Sequence, residues 1–265
     1  MGKHDDDYKP DPNFLVHKNK KKDIFMGVEL ETDMRDADYD DDDILADALH
    51  DFSGDIYCKG DGSLSSEGVE IVTHPATIGY HRHRMDWPEI CAIAKRHGYR
   101  SSDISSCGIH IHVNRNNLSK LDCIKLGFFF NTYRSFIAKV TRRRNNTWAR
   151  LTTKKLKNYG QSRRYEAVNF RNSETVEIRA FKGTLNPDTI LASLEFTHSL
   201  VKFVKQAKIS EVIKRGVTNY MKYAKKRKHR YTYLFEYFER RNIDESIINN
   251  ESTDRSAAYR RNKNE

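Results

Sequence analysis

The sequence predicts an α+β fold, an antiparallel sheet with helices packed on one of its faces. Three observations carry that expectation. Short segments such as DIFMGVELET (23–32) and CGIHIHV (107–113) alternate apolar and polar residues with period two, the pattern of strands with one covered face. Longer segments carry apolar residues at helical spacing. Turn and cap residues punctuate the two kinds of segment, while no internal repeat and no Gly/Ser-rich linker divides the 265 residues. That length suffices for one large domain with its own core.

Taken in order, residues 1–22 read as a flexible polar lead. Strand 23–32 sends Ile24, Met26, Val28 and Leu30 one way and Phe25, Gly27, Glu29 and Glu31 the other. An acidic loop over 33–42 leads into a helix over 43–52. Residues 55–64 form a strand ending in the Gly60-Asp61-Gly62 turn, and GVEIVTHP (68–75) forms another, stopped by Pro75. Met85–His97 is a helix closed by Gly98. Strand 107–113 places Cys107, Ile109, Ile111 and Val113 opposite Gly108, His110 and His112. A long buried helix is expected from Leu121 to about Val140. Tyr165–Phe181 reads as two strands, YEAVNF and TVEIRAF, around the turn at Arg171–Glu174. Asn186 and Pro187 supply the N-cap and first turn of a helix running to about Lys205. Residues 209–240 look helical and carry the basic knot KKRKHR at 225–230. A polar tail covers 242–265, leaving one catalytic domain over 23–241.

Charge adds a constraint. Lys plus Arg number 47 and Asp plus Glu 37, a formal net charge of +10. The imbalance is uneven: residues 1–70 hold 20 acids and 8 bases, while 139–164 hold ten bases and no acid. A basic body suits nucleic acid, nucleotide phosphates or an acidic substrate, and charge alone does not choose. No apolar run approaches a membrane span, and MGKHDDDYKPDP lacks the apolar core of a signal peptide. The four cysteines form no CxxC pair, so reduced thiols in a cytoplasmic setting are expected.

Three pairs at spacing two carry the chemistry: Glu29-x-Glu31, His110-x-His112 and Glu177-x-Arg179. Each lies in a strand with apolar alternates, so each pair shares one face. Glu70 in GVEIVT falls in the same kind of position. Singly, such a pair is the ordinary dress of a solvated sheet face. Together they give one face carboxylate, imidazole and guanidinium groups. Carboxylates suit Mg²⁺ and Mn²⁺, and Mn²⁺ accepts imidazole. Strand alternation sets Cys107 opposite His110 and His112, which disfavours a zinc site. Arg163, Arg164, Arg171 and Arg179 suit phosphate oxygens. Metal ligands beside arginines equip a surface for phosphoryl transfer, yet the chain has neither a Walker A sequence nor a GxGxxG after a strand.

The order of these motifs resembles the amidoligase family of carboxylate–amine ligases, a branch with glutamine synthetase and glutamate–cysteine ligase. GVELE at 27–31, DGSL and GVEIVT at 61–73, CGIHIHV at 107–113 and VNFR…TVEIRAFKGTLN at 168–186 follow one another in that order. The resemblance spans roughly 24–205 and implies a glutamine-synthetase-like curved antiparallel sheet with helices packed on one face. It implies ATP and Mg²⁺ as cofactors, Mn²⁺ as an alternative, and amide formation through an acyl phosphate. By position, Glu29, Glu31, Glu70 and Glu177 resemble the metal ligands, with Glu67 a neighbour of Glu70. They would hold two or three Mg²⁺ ions. His110 or His112 resembles the histidine near the nucleotide phosphates. Glu177, Arg179 and His110 resemble the catalytic set, and His112, Arg164, Arg171 and Arg179 the nucleotide-binding one. The family is frequent in phage and bacterial genomes. The expected partners are a carboxylate-bearing or acidic small molecule, peptide or protein, and an amine. His74, Tyr165 and Glu67 are equal candidates for the amine-side base. Two other readings use the same residues: a metal-dependent nuclease or phosphodiesterase, and a non-catalytic basic binder that keeps the fold.

Overall fold

The computed structural model describes residues 2–18, 23–34, 41–143, 149–152, 154–163 and 165–244. These form two compact units, Met1–Val113 with Phe181–Leu191, and Asn114–Ala180 with Ala192–Glu265. Most of the expected C-terminal tail, 245–265, lies outside the described residues. No described helix is long and apolar enough to cross a membrane.

The first unit is built on strands β1 (Phe25–Thr32), β2 (Ile56–Lys59), β3 (Val69–Thr73), β4 (Ala76–Thr77) and β5 (Gly108–Asn114, its last residue in the second unit). Their order is β2-β3-β1-β5, with β4 beside the start of β1, and these pairings are antiparallel. The alternation expected from sequence fixes which side is covered. Met26, Val28, Leu30, Ile56, Cys58, Ile71, Ile109 and Ile111 are buried at 2% exposure or less. Helix α1 (Asp41–Phe52) packs on β2 and on α3 (Trp87–Arg96). Burying these side chains stabilises the unit by roughly 1.5–3 kcal/mol each. All four cysteines are buried thiols, not disulfide-bonded.

A short helix α2 (Ile78–His83) follows β4 where the sequence reading has none. Its six residues, IGYHRH, are too few to show helical periodicity, and Thr77 starts it by accepting from Tyr80 N at 3.4 Å. Residues 2–18, read from sequence as a flexible lead, hydrogen-bond to the sheet. His4 bridges β2 at Lys59 and Leu15 bridges β4 at Ala76. Leu15 N donates to Pro75 O at 2.9 Å and Thr77 N to Leu15 O at 3.0 Å. One buried apolar residue, Leu15, anchors an otherwise polar stretch.

His81 of α2 is fully buried, stacks on Trp87 with ring centroids 6.0 Å apart, and places Nε2 2.9 Å from Met26 O. Burial pushes its pKa down to about 4, the Met26 carbonyl opposing in part. The unfolded chain therefore takes the proton first, and stability is lost as pH falls from about 6.5 through 4, by roughly 3 kcal/mol. H81N lacks this titration. The melting-temperature gap between wild type and H81N is expected to narrow as pH is lowered from 7 to 4.

The second unit is mainly helical, with α4 (Lys120–Thr132), α5 (Arg134–Thr141), most of α6 (Pro187–Gln206), α7 (Ile209–Lys225) and α8 (Thr232–Arg240). Phe129, Phe136, Phe196, Phe203 and Tyr220 meet edge-on or tilted in its core, with centroids 5.6 to 6.4 Å apart. The long helix expected over 121–140 breaks at Tyr133 (φ −94°, ψ 53°). The Tyr133 hydroxyl donates to Val212 O and accepts from Gly216 N at 2.8 Å. It sits where α7 kinks at Arg215 (φ −147°), so one side chain interrupts both helices. A Cβ at Gly216 would lie 2.3 Å from the Tyr133 ring. G216A is expected to cost about 1–3 kcal/mol of stability, read as a lower denaturation midpoint.

Strands β6 (Val168–Asn169) and β7 (Thr175–Lys182, its last two residues in the first unit) pair antiparallel within this unit. β6 is shorter than YEAVNF suggested because its leading residues are engaged elsewhere. Arg150 N donates to Tyr165 O and Ala167 N to Arg150 O, both at 2.9 Å, and Lys154 pairs with Glu166.

Candidate metal and active site

Strand register assembles the polar face of the first unit. Glu29 stands opposite Val72 on β3 and His110 on β5. Glu31 stands opposite Glu70, which in turn faces Lys59 on β2. Gly27 faces His112, leaving room beside that imidazole. Since facing residues of paired strands share a side, Glu29, Glu31, Glu70, His110 and His112 converge as the sequence expects. Tyr57 and Lys59 join them.

The distances make this a single cluster. His110 Nδ1 lies 3.2 Å from Glu29 Oε2, and His110 Nε2 lies 3.6 Å from Glu31 Oε1. His112 Nε2 lies 3.1 Å from Glu29 Oε2. One ligand atom each from Glu31, Glu70 and His110 fall within 4.8 Å of one another. Glu31, Glu70 and His110 are 3%, 1% and 3% exposed, so their charge is held inside the protein. Glu31 is fixed twice: its carboxylate accepts from Gly108 N, and its backbone carbonyl accepts from Ser101 Oγ at 2.7 Å.

Two neighbouring carboxylates are driven apart electrostatically. Burial pushes Glu29 up, but the His112 and His110 imidazoles outweigh it and hold the carboxyl well below the usual range. Burial, and then the Glu29 charge, push Glu70 up to about 8, with Lys59 offsetting only part. A buried carboxyl beside another is costly to ionise without a cation. Hard oxygen donors with one imidazole, close together and short of positive charge, fit a Mg²⁺ or Mn²⁺ ion.

Glu177 and Arg179 are on β7 in the second unit. There Glu177 accepts from Asn169 Nδ2 at 2.8 Å and pairs with the Arg179 guanidinium. Arg171 and Arg163 are exposed in loops of that unit, and Arg164 lies outside the described residues. His74 Nδ1 accepts from Asn13 N at 3.4 Å, which ties down the N-terminal segment. The Glu67 carbonyl accepts from Tyr99 at 2.8 Å.

Tyr57, Lys59 and Asn169 were missed by the sequence reading. The alternation of Ile56-Tyr57-Cys58-Lys59 contains the signal for the first two: Ile56 and Cys58 are buried, so Tyr57 and Lys59 take the polar side. Burial, then the charge of Glu29, raise the Tyr57 phenol to about 12.

No family model matches the chain, and no curated protein matches its sequence. Among solved structures, the chain is similar to the ligase PafA in its complex with the prokaryotic ubiquitin-like protein Pup. The TM-score is 0.47 at 9% identity, covering 90% of this chain and 66% of that one. It is also similar to GmaS in its apo form, with a TM-score of 0.37 at 15% identity, covering 79% of this chain and 69% of that one.

Proposed function

We propose that the protein is an ATP- and Mg²⁺-dependent carboxylate–amine ligase that forms an amide through an acyl phosphate. The observation that carries the reading is the buried Glu31–Glu70–His110 cluster, whose ligand atoms lie within 4.8 Å of one another. It is supported by the order of the motifs that supply it. A divalent cation held there would neutralise charge on the β- and γ-phosphate oxygens of ATP.

In this reading the substrate carboxylate oxygen attacks the γ-phosphorus and ADP leaves. The amine nitrogen then attacks the acyl carbon, phosphate leaves, and the nitrogen gives up a proton. The chain's part is to place charge. Glu29 stays ionised against His110 and His112 and orients both rings. Glu31 and Glu70 supply oxygen ligands. The motif resemblance gives Glu177 a metal-binding role, and gives Arg164, Arg171 and Arg179 a phosphate-binding one. The substrates are a carboxylate-bearing or acidic molecule, peptide or protein, and an amine. E177Q is expected to lower ADP release at least about 100-fold with the melting temperature held, and a full-rate E177Q enzyme removes Glu177 from the machinery.

The direct test is calorimetric titration of a non-hydrolysable ATP analogue, with and without Mg²⁺, into wild type and E29Q. Binding that needs both Mg²⁺ and Glu29 is the expected result. No binding to either protein would overturn the ligase reading and make nucleic acid the next titrant.

A further inference from the structure

Lys59 is unusually placed for a lysine. Its side chain is 12% exposed, and its ammonium lies 2.8 Å from Glu70 Oε2, itself 1% exposed. Lysines are seldom this enclosed unless paired. The ammonium is held from a second side: Lys59 Nζ donates to Asp6 O at 3.3 Å. Asp6 is positioned by the N-terminal segment along β2, where His4 N donates to Cys58 O at 3.0 Å and Gly60 N to His4 O at 2.9 Å. The lysine is thus built into the cluster by two backbone segments and by register with Glu70.

Charge balance gives this placement a consequence. Glu29, Glu31 and Glu70 carry three negative charges when ionised, with both imidazoles neutral as metal ligation requires. One ammonium leaves two, which a single divalent cation cancels. We propose that the Lys59 ammonium is a resident cation of the cluster, withholding from metal the Glu70 oxygen it faces. The first unit's carboxylates then hold a divalent cation less tightly than they would without it, because one of their charges is already neutralised. This inference rests on the metal-binding half of the proposed function and bears on its affinity.

The test measures Mn²⁺ affinity, by electron paramagnetic resonance of the free ion, in wild type and K59M. K59M is expected to bind Mn²⁺ at least about tenfold more tightly, while K59R keeps the wild-type affinity. Equal affinity in wild type and K59M overturns the proposal and leaves the metal site standing. No Mn²⁺ bound by either protein overturns the metal site and the proposal with it. K59Q replaces K59M if the latter does not fold. Lysine acetylation footprinting of the wild-type chain needs no variant. A resident Lys59 stays protected with and without Mg²⁺, and a Lys59 that becomes reactive on Mg²⁺ addition overturns the proposal.

Discussion

Glu31→Gln is expected to weaken Mn²⁺ or Mg²⁺ binding at least about 100-fold, and to reduce ADP release by at least as much. The fold should persist. The glutamine oxygen can still accept from Gly108 N, and the bond from Ser101 Oγ goes to the backbone carbonyl, which the substitution leaves alone. What disappears is a buried negative charge, with one of the three ligand atoms gathered within 4.8 Å becoming a neutral amide oxygen. Loss of that charge also removes the cost of burying a carboxylate without a cation, so the metal-free variant should melt no lower than wild type. The diagnostic pattern is weak metal binding in a protein of undiminished stability. Equal Mn²⁺ affinity in E31Q and wild type would remove Glu31 from the site. A variant that lost both metal and fold would instead point to a structural carboxylate. His112, 23% exposed at the margin of the cluster, offers a comparison: H112A should weaken metal binding far less than E31Q.

The core of this site was legible because strand alternation is a local property. Val28, Leu30, Ile109 and Ile111 mark a covered face, so Glu29, Glu31, His110 and His112 must share the other, and the register bears this out. Pairing with β3 is non-local, yet GVEIVT carries Glu70 at the same phase, and it lands opposite Glu31. Lys59 was passed over although IYCK alternates just as clearly, because a lysine on a polar strand face is ordinarily a solvated one. Its enclosure depends on the N-terminal segment lying along β2, and nothing in residues 2–8 announces that contact. The helix boundaries failed for a related reason. Residues 121–140 are rich in apolar residues from end to end, and their pattern could not show a break whose cause is the Tyr133 hydroxyl reaching α7. Contacts between distant segments set these features, and a reading by windows cannot contain them.

The apo protein is expected to lose stability between pH 6.5 and 8, and Mg²⁺ to restore it there. Glu70 is the cause. Burial first, and the Glu29 carboxylate second, raise it from about 4.5 to about 8 in the folded chain. Between those values the folded state holds a proton that the unfolded state has released, so stability falls as pH climbs, by a few kcal/mol in all. His81 acts in the opposite sense, but its window closes near 6.5. The depressed Glu29 contributes only below the ordinary carboxylate range. In the interval from 6.5 to 8 neither His81 nor Glu29 contributes, and E70Q tests whether the slope belongs to Glu70. A divalent cation reverses the slope, because ligation needs the ionised carboxylate and a proton competes with it. The rise in melting temperature on adding Mg²⁺ should be larger at pH 8 than at pH 5.5. E70Q removes the titration altogether: its apo form should melt higher than wild type at pH 8, with a flat profile and a smaller response to Mg²⁺. A wild-type slope retained in E70Q would place the titration elsewhere. A carboxyl held this far from its ordinary range, with Lys59 offsetting only part of the cost, makes the metal-free fold weakest in the pH range where the ionised ligand is available. That is the behaviour of a site built around a cation, and not of a sheet face dressed for water.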